Sequence, residues 1–249
     1  MKLEGRCAVV TGGTGGLGWR ICRALADGGM KVVLVYLNSR EKAEEYAAEL
    51  RAGGTEAVAV QADVTTDRGI AAMAGEAERR FGGADALVLD AAFNQWVPFP
   101  DLEALEPSLW GKIMDYNLTA PYKAIRAMGP GMKKRGGGRI VTVSSIAGFH
   151  PSGSSIAYCV SKAGLIHLTR CMAVALAPEV LVNGVAPGLM EGTRMTENLA
   201  PEYAESARKS ALIGKAADRD DVADAVRTLI ATDSITGQTL IVDGGKVYH

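Results

Sequence analysis

The chain has 249 residues, of which 48% are hydrophobic and 22% are charged, and its formal net charge is -1. This length and apolar content fit one large domain over residues 1–249, and a near-neutral chain without a long basic stripe lacks the charge pattern of a nucleic-acid-binding protein. The four cysteines lie singly, with neither metal-ligand spacing nor a Cys-x-x-Cys pair, so we expect no metal site.

Seven short apolar runs of strand type alternate with segments of helical periodicity. The runs lie at 8–11, 32–36, 58–61, 86–89, 140–143, 180–185 and 239–242. This alternation predicts right-handed β-α-β crossovers and therefore a doubly wound α/β fold, a seven-stranded parallel sheet with helices on both faces. In such folds a ligand binds at the carboxyl ends of the strands.

A glycine-rich turn joins the first predicted strand to the first helix. It reads Gly12-Gly13-Thr14-Gly15-Gly16-Leu17-Gly18. Glycines permit a tight turn, let the backbone approach a diphosphate and direct the first amides of the helix at it. Two registers fit, Gly13-x-Gly15-x-x-Gly18 and Thr11-Gly12-x-x-x-Gly16-x-Gly18, and we favour the second because it is the more specific pattern.

Tyr158 and Lys162 stand four residues apart in a helical segment, which places them one turn apart on the same face. Two unit charges ~4 Å apart at an effective dielectric of ~20 interact by roughly 4 kcal/mol, or about three pKa units. Under such a charge a phenol becomes a usable proton donor near neutral pH. The alternative is an ordinary amphipathic helix with a surface lysine, and the glycine-rich turn favours the catalytic interpretation.

Together, Thr11-Gly12-x-x-x-Gly16-x-Gly18 and Tyr158-x-x-x-Lys162 resemble the two signatures of the short-chain dehydrogenase/reductase family, and the resemblance covers essentially the whole chain. It implies a single Rossmann-type domain that transfers a hydride between NAD(P)(H) and a carbonyl or secondary alcohol. It also implies that Tyr158 moves the proton, Lys162 assists it and holds the nicotinamide ribose, Ser145 polarises the carbonyl and Asn117 anchors a relay water. For Ser145 alone, closing a turn after a strand is the alternative.

The resemblance further implies a set of cofactor contacts. Asp63 and Val64 would lie along the adenine, and Pro187 and Gly188 would form the turn beside the nicotinamide. The complete set of expected cofactor-binding residues is Gly12, Thr14, Gly15, Gly16, Leu17, Gly18, Asn38, Ser39, Arg40, Asp63, Val64, Ala91, Asn117, Tyr158, Lys162, Pro187, Gly188 and Thr193.

One stretch departs from the family pattern. Leu89-Asp90-Ala91-Ala92 stands where the family usually has Asn-Asn-Ala-Gly, along the cofactor and in support of the central sheet. The fold is expected to tolerate the change. A carboxylate at Asp90 leaves open which hydrogen-bond partners this position uses, and with them the geometry of the cofactor site.

The residues after the second strand bear on the choice of cofactor. An acidic residue there would bind the ribose diol and repel a 2′-phosphate. This chain instead has Asn38-Ser39-Arg40, with no carboxylate before Glu41. Arg40 and the Ser39 hydroxyl suit a phosphate, so we expect NADP(H) to be favoured over NAD(H). The alternative is that Arg40 only begins the next helix and pairs with Glu44.

Large apolar side chains follow the strands that carry these motifs. We expect Phe93, Trp96, Phe149 and Met190 to line a substrate pocket, with Met195 in the same loop as Met190. Such a lining favours a small apolar or cyclic ketone. The alternative for Phe93 and Trp96 is packing beneath the helix that begins near residue 107.

Other functions stay open. A 3-oxoacyl-(acyl-carrier-protein) reductase is the alternative within the family; Lys134 and Arg135 could meet the carrier, although 177–179 adds no second cation. A non-catalytic dinucleotide sensor is disfavoured because Tyr158 and Lys162 are both present. A serine hydrolase is disfavoured because the sequence has no Gly-x-Ser-x-Gly elbow.

The resemblance also implies a homotetramer that pairs two long helices, at about 107–135 and 157–177, and the last strands. The chain enters its first strand without a charged leader, and no apolar stretch approaches the ~20 residues of a membrane span. We therefore expect a cytoplasmic enzyme with small-molecule partners and no membrane or nucleic-acid partner.

Overall fold

Seven strands form one sheet in the order β3-β2-β1-β4-β5-β6-β7, and every neighbouring pair is parallel. The computed structural model describes residues 1–193, 196 and 201–248, so Met195 lies outside the described residues. The strands are β1 (Cys7–Thr11), β2 (Lys31–Tyr36), β3 (Ala57–Gln61), β4 (Ala86–Leu89), β5 (Gly138–Val143), β6 (Val180–Pro187) and β7 (Thr239–Val242). The predicted doubly wound parallel sheet is confirmed.

Helices cover both faces of this sheet. They are α1 (Gly16–Asp27), α2 (Arg40–Ala52), α3 (Asp67–Phe81), α4 (Pro107–Met114), α5 (Ala120–Lys134), α6 (Ile156–Leu176), α7 (Pro201–Ser210) and α8 (Arg219–Ala231). From β1 the chain adds β2 and β3 on one side of the sheet and then β4 to β7 on the other side. This reversal between β1 and β4 opens a crevice at their carboxyl ends. This crevice positions the site.

The core consists of two apolar clusters, one on each face of the sheet. Successive residues of β1 alternate between them, with Ala8 and Val10 in the cluster beneath α1 and α8, and Cys7 and Val9 in the cluster beneath α3 and α5. A strand buried on both faces needs apolar residues throughout, which explains the continuous apolar runs in the sequence.

The helix expected at about 107–135 differs in detail. A π turn (Asp115–Thr119) separates α4 from α5, and the residues flanking the turn, Met114 and Ala120, keep right-handed helical dihedrals. Such wider turns are frequent at functional sites because they redirect a side chain out of the regular helical array. Here the redirected residue is Asn117.

One expectation about membranes needs correction. By length and composition alone, the 21-residue helix α6 could cross a membrane, with a mean hydropathy of 1.3. Its apolar character has another cause, since α6 packs against β6 and carries the buried Lys162. A core helix of a folded domain meets the same criteria.

Candidate active site

The glycine-rich turn fits a diphosphate. Gly15 is the N-cap of α1 and has no side chain that could occupy the first amides of the helix. Gly18 allows the turn to close tightly, because a Cβ there would lie 2.2 Å from the carbonyl oxygen of Gly12. The turn is anchored to the sheet by a hydrogen bond from the Gly13 amide to the Val35 carbonyl (2.9 Å). The backbone of the turn therefore has the tight shape and the uncapped helix start that an anionic group would need.

Asp90 follows β4 and lies against this turn. Its carboxylate accepts a hydrogen bond from the Gly18 amide, and its Oδ2 lies 3.3 Å from where a Cβ on Gly12 would stand. Thr11 Oγ1 accepts from the amides of Asp90 and Ala91, each at 3.1 Å. These contacts answer the question that the sequence left open about the partners of Asp90.

Asn117 braces the chain after β4 against α6. Its Oδ1 accepts from the Phe93 amide (2.8 Å), and its Nδ2 donates to the Phe93 carbonyl (2.9 Å) and to Ser161 Oγ (3.1 Å). Asn117 is buried, and both of its N–H groups are used. Since a carbonyl oxygen has two lone pairs, Oδ1 can still accept one more hydrogen bond.

Ser145 and Tyr158 stand at the starts of two helical segments, a short 3₁₀ turn and the long helix α6. Ser145 follows β5 as N-cap of a 3₁₀ turn (Ile146–Gly148), and its Oγ accepts from the Ala147 amide (3.2 Å). Ser155 caps α6, since its Oγ accepts from the Tyr158 amide (3.1 Å). These caps fix where both segments begin and hold the two hydroxyl-bearing residues at the carboxyl edge of the sheet.

Lys162 lies one turn beyond Tyr158 on α6. Its Nζ stands 5.7 Å from the centre of the Tyr158 ring and donates to the Val143 carbonyl at the end of β5 (2.8 Å). The side chain is buried. Burial lowers the pKa of the ammonium to about 8, and the Asp90 carboxylate opposes that shift. The sequence-predicted proximity of the two side chains is confirmed.

The other expected cofactor contacts surround the same edge. Asp63 Oδ1 accepts from Thr65 Oγ1 (2.7 Å), which orders the chain after β3 and beside the buried Val64. The Gly188 amide, just past β6, donates to the Val242 carbonyl (2.9 Å). A Cβ on Gly16 would lie 3.3 Å from the Cα of the buried Thr193, so the chain after β6 reaches the first turn of α1.

The segment after β2 is open. Asn38, Ser39 and Arg40 are all exposed, and Arg40 is the first residue of α2. The alternative for Arg40, a pairing with Glu44, is not observed, since no ion pair engages the Arg40 guanidinium within the described part of the chain. An exposed cation therefore stands at the carboxyl end of β2.

Arg219 is a residue of this edge that the sequence analysis did not single out. Its Nη1 donates to the Gly192 carbonyl (2.9 Å) and lies 3.3 Å from where a Cβ on Gly16 would stand. Arg219 begins α8 and is about two hundred residues from the glycine-rich turn. No local sequence signal connects the two, because their contact arises from the packing of α8 on α1.

Residues 6–204 match the sequence profile of the short chain dehydrogenase family. The chain belongs to this family. It is therefore an oxidoreductase that acts on CH–OH and keto groups and binds an NAD(P) dinucleotide.

Relatives of this short-chain dehydrogenase/reductase match over nearly its full length. One carries the name of ketoacyl reductase 2 of the granaticin polyketide synthase of Streptomyces violaceoruber and is 38% identical, with 97% of this chain and 96% of the relative covered. The 3-oxoacyl-[acyl-carrier-protein] reductase of Synechocystis is 36% identical, with 98% of each chain covered. The chain also resembles a solved 7α-hydroxysteroid dehydrogenase bound to NADH and 7-oxo glycochenodeoxycholic acid, with a TM-score of 0.92, 29% identity, and coverage of 100% of this chain and 96% of that one.

The expected substrate-pocket residues of this dehydrogenase/reductase lie in different surroundings. Phe93 packs against Tyr116 at 5.9 Å between ring centres, and the Lys112 ammonium of α4 lies 4.1 Å from the Phe93 ring centre. Trp96 is 51% exposed. Phe149 follows the 3₁₀ turn and is partly buried, whereas Met190 packs against the core beneath α1.

The backbone brings Trp96 close to the start of α6. The amide of the next residue, Val97, donates to the Ser154 carbonyl (2.7 Å), and Ser155 caps the helix that carries Tyr158. The segment after β4 and the segment before α6 therefore run side by side. An exposed indole lies at this junction.

Lys134 and Arg135 do not lie near the site entrance. Arg135 Nη2 donates to the Ala84 carbonyl (2.6 Å), and Nη1 pairs with Glu78 (3.7 Å). Ala84 precedes β4, and Lys134 ends α5 just before β5, so both cations lie at the amino ends of the strands. The expectation that they could meet a carrier at the site is wrong, because successive ends of β-α-β units lie on opposite edges of the sheet.

Proposed function

We propose that the enzyme reduces small apolar or cyclic ketones, or oxidises the matching secondary alcohols, with NADP(H) favoured over NAD(H). The observation that carries this proposal is the grouping of Tyr158, Lys162 and Ser145 with the glycine-rich turn at one edge of the sheet. Incubation with NADPH and a series of ketones, or with NADP⁺ and alcohols, tests it through nicotinamide absorbance. A non-catalytic dinucleotide sensor would bind the cofactor and turn over none of them.

Tyr158 and Ser145 would act on the same substrate oxygen. A bound nicotinamide would supply or accept the hydride. As a carbonyl carbon is reduced, the Tyr158 hydroxyl donates its proton to the oxygen, so that an alcohol forms rather than an alkoxide. The Ser145 hydroxyl donates a hydrogen bond to that oxygen and stabilises the negative charge that grows there in the transition state.

Lys162 and Asn117 would support the proton transfer. A buried ammonium acts strongly on a neighbouring phenol, because little water screens the charge. Because burial lowers the pKa of Lys162 only to about 8, the ammonium is still charged at neutral pH. It could then also donate to the ribose hydroxyls of a bound dinucleotide. The remaining lone pair of Asn117 Oδ1 can accept from a water that returns protons to the site.

The cofactor preference rests on Arg40 and gives a first test. Arg40→Ala should weaken NADPH binding roughly tenfold or more and spare NADH, because only NADPH offers a 2′-phosphate to the guanidinium. Titrations followed by nicotinamide fluorescence measure both dissociation constants. Arg51→Ala, at the other end of α2, removes the same charge and should leave the ratio unchanged. Tighter binding of NADH than NADPH by the wild type would contradict the preference.

The substrate class rests on the apolar side chains, and Trp96 supplies its test. Each buried methylene contributes about 0.8 kcal/mol, so two added methylenes in the ketone should raise kcat/KM roughly tenfold. Trp96→Ala should reduce this gain at an unchanged melting temperature, because an indole that is 51% exposed contributes little to the core. Trp110→Ala, on α4 and 37% exposed, is the matched control. A lower melting temperature with unchanged ketone preference would make Trp96 structural.

A 3-oxoacyl thioester is the second candidate substrate. Two observations favour it: the names of two relatives, and the exposed Lys112, whose ammonium lies over Phe93 at the site end of the sheet. An acidic carrier would be attracted to cations at this end of the sheet, and Lys112 supplies one of them beside Phe93. Comparison of kcat/KM for a carrier-bound 3-oxoacyl thioester and the same thioester without carrier distinguishes the two candidates.

We also propose a cytoplasmic homotetramer. Exposed apolar side chains on the proposed contact surfaces support this assembly, namely Tyr122 on α5, Val160 and Val174 on α6, and Leu240 on β7. β7 is an edge strand of the sheet, so its free side can meet the same strand of a second copy.

A further inference from the structure

Asp90 places a carboxyl group inside the dinucleotide site. Its Oδ2 lies 2.9 Å from where a Cβ on Gly18 would stand and 3.3 Å from the same point on Gly12, so it contacts both arms of the glycine-rich turn. The Gly18 amide, in the first turn of α1, donates to the carboxylate. A negative charge therefore already occupies part of the cradle that a diphosphate needs.

Two like charges held close together in one site repel each other. The diphosphate of any dinucleotide is negative, and the amides of Gly16 and Leu17 belong to the same first turn of α1 as the Gly18 amide, which donates to the Asp90 carboxylate. Lys162 can offset one negative charge, but its ammonium also donates to the Val143 carbonyl. Protonation of Asp90 removes the repulsion without any movement of the backbone.

The groups around Asp90 allow that protonation near neutral pH. The titratable side chains that face it are Lys162 from α6 and Cys22 from α1. Burial raises the pKa of Asp90 to about 7, against the opposing effects of Lys162 and of the Gly18 hydrogen bond. Burial also raises the pKa of the Cys22 thiol, so this thiol stays neutral and does not compete for the proton.

We propose that Asp90 makes dinucleotide binding proton-linked, because its carboxylate takes up one proton from solvent as the dinucleotide binds. One oxygen of the neutral acid continues to accept from the Gly18 amide, and the other carries the proton. Asp90 is thus a positioning residue that holds the glycine-rich turn and adjusts its own charge to the ligand. The inference rests on the proposed function, since it takes this turn as the dinucleotide site.

The linkage has a definite sign. A bound anion raises the pKa of Asp90 further, so the complex holds more protons than the free protein wherever the free carboxyl is ionised. Affinity should be constant below about pH 6 and fall as the pH rises past 7, by at most about tenfold per pH unit.

Calorimetric titration with NADH tests the proposal directly. NADH lacks the 2′-phosphate, which itself titrates near pH ~6. Measured at pH 7.5 in buffers of different protonation enthalpy, the wild type should take up roughly half a proton or more per NADH. Asp90→Asn should take up distinctly less, because the amide can still accept from Gly18 but cannot be ionised, and the uptake that remains belongs to Lys162. Asp85→Asn, a carboxylate at the amino edge that accepts from the Cys7 amide, should behave as the wild type.

Two outcomes would overturn the inference and leave the proposed function standing: NADH binding to the wild type without proton uptake, or undiminished uptake by Asp90→Asn, which would assign the proton to Lys162. If Asp90→Asn fails to fold, the infrared difference spectrum of the wild type decides, since a protonated carboxyl must appear when NADH binds. A chain that binds neither NADH nor NADPH would contradict the proposed function, and the inference with it.

Discussion

Tyr158→Phe should lower turnover by roughly 10²-fold or more while leaving the fold and the dinucleotide affinity unchanged. The substitution removes only the hydroxyl, and the Ser155 cap bonds the backbone amide of residue 158, which the variant keeps. A hundredfold loss corresponds to about 2.7 kcal/mol of transition-state stabilisation, within the range expected for a lost general acid. Steady-state kinetics, a melting curve and a dinucleotide titration on the same sample measure the three quantities.

Tyr46→Phe is the matched control for this experiment. Tyr46 lies on α2, where its ring stacks on Trp19 at 3.9 Å between ring centres. The loss of its hydroxyl should therefore leave turnover within about twofold of the wild type. If Tyr158→Phe kept near-wild-type activity, the proton would have to come from another group, and the proposed mechanism would be wrong.

Lys162→Ala should lower both turnover and dinucleotide affinity, each by roughly tenfold or more, because one ammonium serves the phenol and the ribose. The variant also leaves the Val143 carbonyl without its 2.8 Å donor and Asp90 without its neighbouring cation. A loss of stability is therefore expected as well. Lys162→Met keeps more of the side-chain volume and separates the loss of charge from the loss of packing.

The wild type offers an independent check on the role of Lys162. Because burial lowers the pKa of this ammonium to about 8, its charge is present below that pH and is lost as the pH rises through it. Turnover should therefore also fall as the pH rises through about 8. Lys123→Met is the matched control. Lys123 lies on α5, and its ammonium also donates to a backbone carbonyl, that of Thr65 (3.3 Å). Full activity of Lys162→Met would remove Lys162 from the mechanism.

The strands were predictable because of how a doubly wound sheet is buried. Each of the seven predicted runs begins within two residues of the observed strand, and β4 and β7 agree at both ends. A parallel strand between two helical layers needs apolar residues on both faces, and that pattern is local. The helix at 107–135 was less predictable, because the π turn at Asn117 depends on bonds to Phe93 and Ser161.

The sequence was least able to predict which charged residues lie at the site edge of the sheet. Lys134 ends α5 and Arg135 follows it, much as Ser145 follows β5, yet both cations lie at the opposite edge of the sheet. Arg219, which carried no signal, lies beside Gly16. The direction of the chain decides at which edge of the sheet a residue lies. A strand and the helix that follows it run in opposite directions, so their ends lie at opposite edges.

The sequence by itself determined the family, the parallel sheet and the pairing of Tyr158 with Lys162, because these depend on local periodicity and on spacing within one helix. Only the tertiary structure decided what surrounds them. It joined Asp90 to the Gly18 amide and brought Lys162 to the end of β5. Such contacts join residues far apart in the chain, and their charges interact as they do because folding has removed most of the water between them.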